Sequence, residues 1–202
     1  MKAFQFIIIF ICFSTTGFSQ SKPAFKDKIK AYQADQNEKF KDQRISPLKD
    51  TDRSHFERLK FYRPKATYRV QAKFVRTTDA KPFEMPTTTD RNPVYEKYGE
   101  VHFEIKGRKL HLAVYQSHDS RRNPLYRKNL FLPFKDMTNS KTTYGGGRFI
   151  DIKIPTEDTM IIDFNKAYNP YCAYSPKYSC PIVPRENHLE LAIKAGVKKF
   201  TK

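Results

Sequence analysis

The stretch 101–115 constrains the fold more than any other part of this chain. Val101, Phe103 and Ile105 alternate with polar residues, and so do Leu110, Leu112 and Val114 on the return. Lys106-Gly107 lies between the two runs. Successive side chains of a strand point to opposite faces, and a two-residue hairpin turn needs the positive φ that glycine accepts readily. The register that pairs Ile105 with Arg108, Phe103 with Leu110 and His102 with His111 keeps both apolar stripes on one side. A slip of one residue would turn one stripe into solvent. This is a tight β-hairpin with one buried face.

Other segments repeat the pattern. Tyr68, Val70, Ala72 and Phe74 alternate with Arg69, Gln71 and Lys73, which predicts a half-buried strand. Further strands are expected over 130–134, 149–154, 160–164 and 189–194. Residues 76–98 hold three prolines and many threonines and read as edge strands or loop. Strands and helices do not alternate, which argues against a parallel sheet. The expected fold class is mainly β: an antiparallel β-sandwich or a partly open barrel.

One helix precedes the strands. Over 21–44, Phe25, Ile29, Tyr32, Gln36 and Phe40 recur at three- and four-residue steps, the spacing of a narrow helical stripe. Ser21 is a candidate N-cap, with Pro23 at the second helical position. Ser46-Pro47 ends this element, and a short helical turn is expected over 53–60, with Phe56 and Leu59 inward.

The extreme N-terminus reads as a secretory signal peptide. Lys2 precedes the apolar run Phe6–Phe13, within the roughly 7–15 residues of such a core and short of the about 20 that span a bilayer. Gly17-Phe18-Ser19 places the cut before Gln20, with a cut after Gln20 as the alternative. An uncleaved anchor is the competing reading. A lipoprotein signal on Cys12 fits poorly, because Cys12 lies inside the apolar run. The expected organisation is a signal over 1–19, a helix over 20–44 and one β-rich domain over 45–202. No transmembrane segment is expected after cleavage, and the mature chain is expected to be secreted or periplasmic.

The chain carries a formal charge of +17. Its longest basic runs are only two residues, as at Arg121-Arg122 and Lys198-Lys199. Scattered cations keep an exported domain soluble, whereas a clustered patch would suit anionic glycans or lipids. Nucleic acid is not an expected partner of an exported protein. Cleavage removes Cys12 and leaves Cys172 and Cys180 in an oxidising compartment. A disulfide between them would stabilise by roughly 2–3 kcal/mol.

Residues 136–187 differ in character. Thr143-Tyr144-Gly145-Gly146-Gly147-Arg148 contains three of the seven glycines. Such a run lets backbone approach a ligand or forms a nest of N–H groups, but it lacks the spacing and following helix of a P-loop. Its bland reading is a wide hairpin turn. Next comes a long Asn/Tyr-rich loop from Asp163 to Ser175, with Asn-Pro and Ser-Pro turn signals. Long ordered loops are usually functional or pinned by a crosslink.

Five segments carry a resemblance: FERLKFYRPKATYRVQAKF (56–74), GEVHFEIKGRKLHLAVY (99–115), LFLPFKDMT (130–138), YGGGRFIDIKIP (144–155) and DFNKAYNPYCAYSPKYSCPIVPRENHLELAIKAG (163–196). Together they resemble a bacterial and archaeal family of unknown function, number 1684 among the domains of unknown function, over roughly 45–197. Two positions depart from that pattern. Asp136-Met137-Thr138-Asn139-Ser140 lacks the family's glycine, and Ala195-Gly196-Val197-Lys198 lacks its glutamate. The resemblance implies a shared fold and site geometry and no established activity.

Three chemistries compete for this region. In a binding module for an anionic sugar or a peptide, Arg148 would clamp an anionic group beside the backbone of 145–147. Thr143, Tyr144, Gly146, Asn165, Tyr168, Asn169, Tyr174 and Asn187 would supply hydrogen bonds and ring faces. In a hydrolase, Asp136, Asp163 and Glu186 offer carboxylates for acid–base work, or Cys172 and His188 a nucleophile pair. A metal site through Cys172, Cys180 and His188 lacks zinc-ligand spacing, and His102 with His111 reads as a solvent-facing pair. No metal or cofactor is expected.

Overall fold

The computed structural model describes residues 24–201; the signal-peptide reading lies outside them. The chain forms α1 (Phe25–Lys41), α2 (Asp50–Arg53), β1 (Arg69–Arg76), β2 (Phe83–Glu84), β3 (Val94–Ile105), β4 (Arg108–Ser117), α3 (His118–Arg122), β5 (Asn129–Phe134), β6 (Arg148–Lys153) and β7 (Thr159–Asp163). Among these residues no helix is long and apolar enough to cross a membrane.

The hairpin adopts the expected register, with Ile105 opposite Arg108, Phe103 opposite Leu110 and His102 opposite His111. Both turn residues have positive φ, 53° at Lys106 and 74° at Gly107. That geometry matches the twist of the flanking strands. The strands make one antiparallel sheet in the order β6-β5-β4-β3-β1-β7, with β2 paired to β3. The sheet curls into a half-barrel, so of the two expected architectures the partly open barrel is the one formed. The concave face carries the core: Val70 and Ala72, Val101 to Ile105 at alternate positions, Leu112, Val114, Leu130, Leu132, Phe134, Ile150, Ile152 and Ile162.

Two ligatures complete the sheet where its own ladder stops. Strands β4 and β5 share one paired position, Tyr115 with Phe131. Two residues on, Ala113 faces Pro133, which has no N–H to give. The Asn187 side chain takes that place. Its amide nitrogen donates to the carbonyls of Ala113 (2.8 Å) and Pro133 (2.6 Å), and its oxygen accepts from the Ala113 N–H (2.8 Å).

The second ligature is Arg148, at the start of β6. Its side chain is 0% exposed and pairs with Asp136 at 2.7 Å. It also donates to the carbonyls of Ile193 (2.9 Å) and Ala195. The last expected strand, 189–194, is not a strand: the Ile193 carbonyl accepts from Arg148 and those of Glu190 and Ala192 from Arg108 and Tyr68, and only isolated bonds such as Leu189 N–H to Lys135 join it to the sheet edge. The expected helical turn over 53–60 is corrected to α2 at 50–53. Beyond it the chain runs extended, with Tyr62 N–H donating to Gly196 and Lys198 N–H to Lys60.

Helix α1 is shorter than the expected 21–44. As its narrow stripe implies, it buries Ile29 and Phe40. Phe40 meets the ring of Tyr174 at 4.7 Å, in a small cluster with Leu48, Leu59 and Val197. The Tyr32 hydroxyl donates to the Lys166 carbonyl at 2.9 Å. The helix thus lies beside the gap between the two free edges of the sheet, β6 and β7.

Candidate functional site

A cleft of about 1060 Å³ opens along that gap. Alternation builds its floor. On β5 and β6 the even-numbered residues from Leu130 to Ile152 enter the core, so Phe131, Phe149 and Asp151 point the other way. Tyr95 adds a ring from β3. Ring centroids run 5.9 Å from Tyr95 to Phe131, 4.7 Å from Phe131 to Phe149 and 6.1 Å from Phe149 to Tyr168. Tyr168 is fixed by a pair of backbone bonds to Phe149, and its hydroxyl donates to Asp151 Oδ1 at 2.9 Å. Water reaches Asp151 from the open side while protein surrounds it on the others. Desolvation raises its pKa, opposed by the Tyr168 hydrogen bond and the charge of Lys153.

The walls come from α1 (Tyr32, Gln36, Lys39), from Arg69 and Asp163 at the β7 side, and from Tyr171 and Tyr178, whose rings lie 5.2 Å apart. Desolvation, with Asp151 nearby, raises the pKa of Tyr32, so its hydroxyl stays neutral. The cleft therefore offers aromatic faces, three carboxylates (Asp151, Glu157 and Asp163) and several cations at its rim.

The residues singled out from sequence separate into groups. Asp163, Tyr168, Asn169 and Tyr174 line the cleft. Asn169 donates to the Lys198 carbonyl (3.0 Å) and to the Tyr174 hydroxyl (3.2 Å), while its Oδ1 makes no hydrogen bond within the described residues. Asp136 and Arg148 spend their charges on each other inside the protein, which leaves no accessible guanidinium to clamp a ligand. Thr143 is buried against Thr138 (2.8 Å). Asn165 holds the Lys65 backbone at both N–H (2.9 Å) and carbonyl (3.0 Å). Asn187 fills the sheet as described. Glu186 lies elsewhere, accepting from Tyr115 (2.6 Å) and Lys97 (2.7 Å). Gly146 is exposed in the turn, and Gly147, at φ 98°, passes so close to Phe134 and Val183 that a Cβ would fall 2.8 Å and 2.6 Å from them.

The expected disulfide is not formed in this structure, where Cys172 and Cys180 are free thiols. The Cys172 N–H donates to Cys180 Sγ at 3.1 Å, and the Tyr144 hydroxyl stands 3.8 Å from Cys172 Sγ. Cys180 Sγ is thereby held as an acceptor for the loop backbone, and Cys172 Sγ faces a tyrosine hydroxyl. His188 joins Lys135 through a backbone bridge. The rings of His102 and His111 stack at 5.8 Å on the exposed side of the hairpin. Among the described residues no group of three His, Cys, Asp or Glu could hold a metal ion.

Sequence reasoning missed Asp151, Phe131, Phe149 and Tyr95. The signal was present in the alternation itself: two phenylalanines and an acid occupy the outward positions of β5 and β6, where polar residues are the rule.

The model of the family described as Protein of unknown function (DUF1684) matches residues 54–198. The chain belongs to this family. The DUF1684 match covers β1 to β7 with Cys172 and Cys180, close to the extent of the resemblance seen in sequence. The structure is similar to the solution NMR structure of an uncharacterized protein from gene locus rrnAC0354 of Haloarcula marismortui, with a TM-score of 0.66 and 30% identity. That likeness covers 85% of this chain and 92% of the other. No curated protein matches the chain.

Proposed function

We propose that this DUF1684 chain is an exported binding module whose cleft takes a sugar bearing an acidic group. The row of Tyr95, Phe131, Phe149 and Tyr168 with Asp151 set among them carries this reading. Ring faces pack against the apolar faces of pyranose rings, and a few fixed polar groups orient such a ligand. Asp151 and Asp163 accept sugar hydroxyls, and Lys39, Lys153 and Arg69 at the rim meet the acidic group. A peptide carrying an acidic side chain is the other ligand this chemistry would admit.

Titration with hexuronate-containing oligosaccharides, followed by thermal shift and NMR, tests the reading. Asp151→Asn and Tyr168→Phe should each weaken binding about tenfold, the worth of roughly 1.4 kcal/mol. Unchanged spectra across acidic glycans, or wild-type affinity in both variants, would sink it.

One observation favours a second reading, an extracytoplasmic hydrolase. Desolvation raises the pKa of Asp151, as a general acid requires, and Asp163 lines the same cleft. Release of reducing ends that stops in Asp151→Asn would establish it. Export itself is tested by the intact mass of secreted protein, which should begin at Gln20. In an oxidising compartment the two thiols are expected to pair.

A further inference from the structure

Two thiols tied together by the Cys172 N–H on Cys180 Sγ, one partly exposed and one buried, can do more than staple a loop. Cys172 is half-buried on the 3-10 turn Tyr171–Ala173, and Cys180 is buried beneath it. The two residues are positioned differently. Cys180 belongs to a fixed strip: its N–H donates to Thr88 Oγ1 (3.2 Å), its carbonyl accepts from Thr88 N–H (3.0 Å), and Ile182 N–H donates to Pro86. Cys172 sits on a short turn, with the Tyr144 hydroxyl at 3.8 Å from its sulfur. Tyr144 comes from the glycine turn, so that turn has a partner in the chemistry of this loop. Cys180 also lines the wall of the cleft.

We propose that Cys172 and Cys180 form a thiol–disulfide exchange site, in which Cys172 attacks a disulfide and Cys180 resolves the product. The co-reactant is a disulfide, R–S–S–R′, of a small thiol or a peptide. The Cys172 thiolate attacks one sulfur; the R–S–S–R′ bond breaks, R′–S⁻ leaves and takes a proton, and Cys172–S–S–R forms. Cys180 then gives its proton to solvent and attacks Cys172 Sγ. R–S⁻ leaves, takes a proton, and the Cys172–Cys180 disulfide remains. The substrate disulfide gains two electrons and two protons, both lost by the dithiol. The reverse sequence passes the disulfide to a reduced dithiol.

The electrostatics fit these roles. Hydrogen bonding from Cys180, with contributions from Tyr144 and Thr88 against the cost of burial, lowers the Cys172 thiol to about 6. The same hydrogen bond and burial raise Cys180. A thiol near the ambient pH is the better attacking group, and a partner that ionises last serves as the resolving one.

Glutathione and its disulfide test the site on the purified mature chain. With glutathione disulfide, the reduced protein should form its internal disulfide and retain no glutathione, and excess glutathione should reverse this without unfolding. Cys180→Ser should retain one glutathione, on Cys172. Alkylation of reduced wild-type Cys172 should follow a pH midpoint near 6 instead of the ordinary value of about 8.5, and Tyr144→Phe should move it upward. A disulfide that excess glutathione leaves intact in the folded protein would overturn the proposal in favour of a structural staple. So would an ordinary alkylation midpoint, a measurement that needs no variant and stands if Cys180→Ser does not fold.

Discussion

At the residue scale, polar groups that look like ligands for something outside are here ligands for the backbone. Arg148 was the natural anion clamp after three glycines, and it is sealed inside with Asp136. Arg148→Met should cost about 3–5 kcal/mol, because the Asp136 carboxylate is left buried without its partner. Replacing Asp136 with Leu in the same chain should recover part of that loss, and denaturant melts of the three variants measure the coupling. Asn187→Leu should cost about 2–4 kcal/mol, since Ala113 and Pro133 lose three hydrogen bonds in a dry place.

Asp151 behaves in the opposite sense. Its pKa is raised on folding, so its stabilising share is complete where the carboxyl is protonated in both states and is lost as pH rises through the folded-state value. Asp151→Asn should therefore melt higher than wild type at neutral pH and equally with it below the carboxylate range.

At the element scale, the sequence was most legible where its signals were local. Lys106-Gly107 and the flanking alternation specify a hairpin to the residue, because turn geometry and one buried face together admit a single register. The same alternation misled at 189–194. Leu189, Leu191 and Ile193 do face inward or partly so, but whether such a segment becomes a strand depends on which partner meets its carbonyls. Here side chains do: Arg148 from 45 residues upstream of Ile193, with Arg108 and Tyr68 on Glu190 and Ala192, and nothing near the segment announces them. Helix α1 owes little to its own pattern: only two side chains are buried. Ile29→Ala or Phe40→Ala should each cost about 2–5 kcal/mol, and loss of Phe40 should loosen Tyr174 and so alter the cleft wall, which ring resonances in NMR spectra would report.

For the whole molecule, the candidate site arises from closure that stops short. A sheet whose edge strands β6 and β7 do not meet leaves a gap, and α1 with the 163–180 loop turns that gap into a cleft. The loop was marked in sequence by its Asn and Tyr content, and four of the residues named there do reach the cleft. The floor was not legible, because which strands become the edges is a property of the complete strand order. A bound ligand that touches both edges should slow hydrogen exchange in β6 and β7 together, whereas a ligand on the loop alone should protect neither.

The guanidinium lock has a bearing on the order in which the protein is made. Arg148 is complete only when residues 193–197 have arrived, and synthesis delivers them among the last of the described chain. Until then all seven strands exist in the polypeptide and Asp136 can already face Arg148, yet the guanidinium lacks its carbonyl partners and the core lacks Ile193 and Ala195. A chain stopped at residue 192 should show no cooperative melt. For a protein that crosses a membrane unfolded, as proposed here, a core that cannot close early keeps the nascent chain threadable until the whole domain has passed.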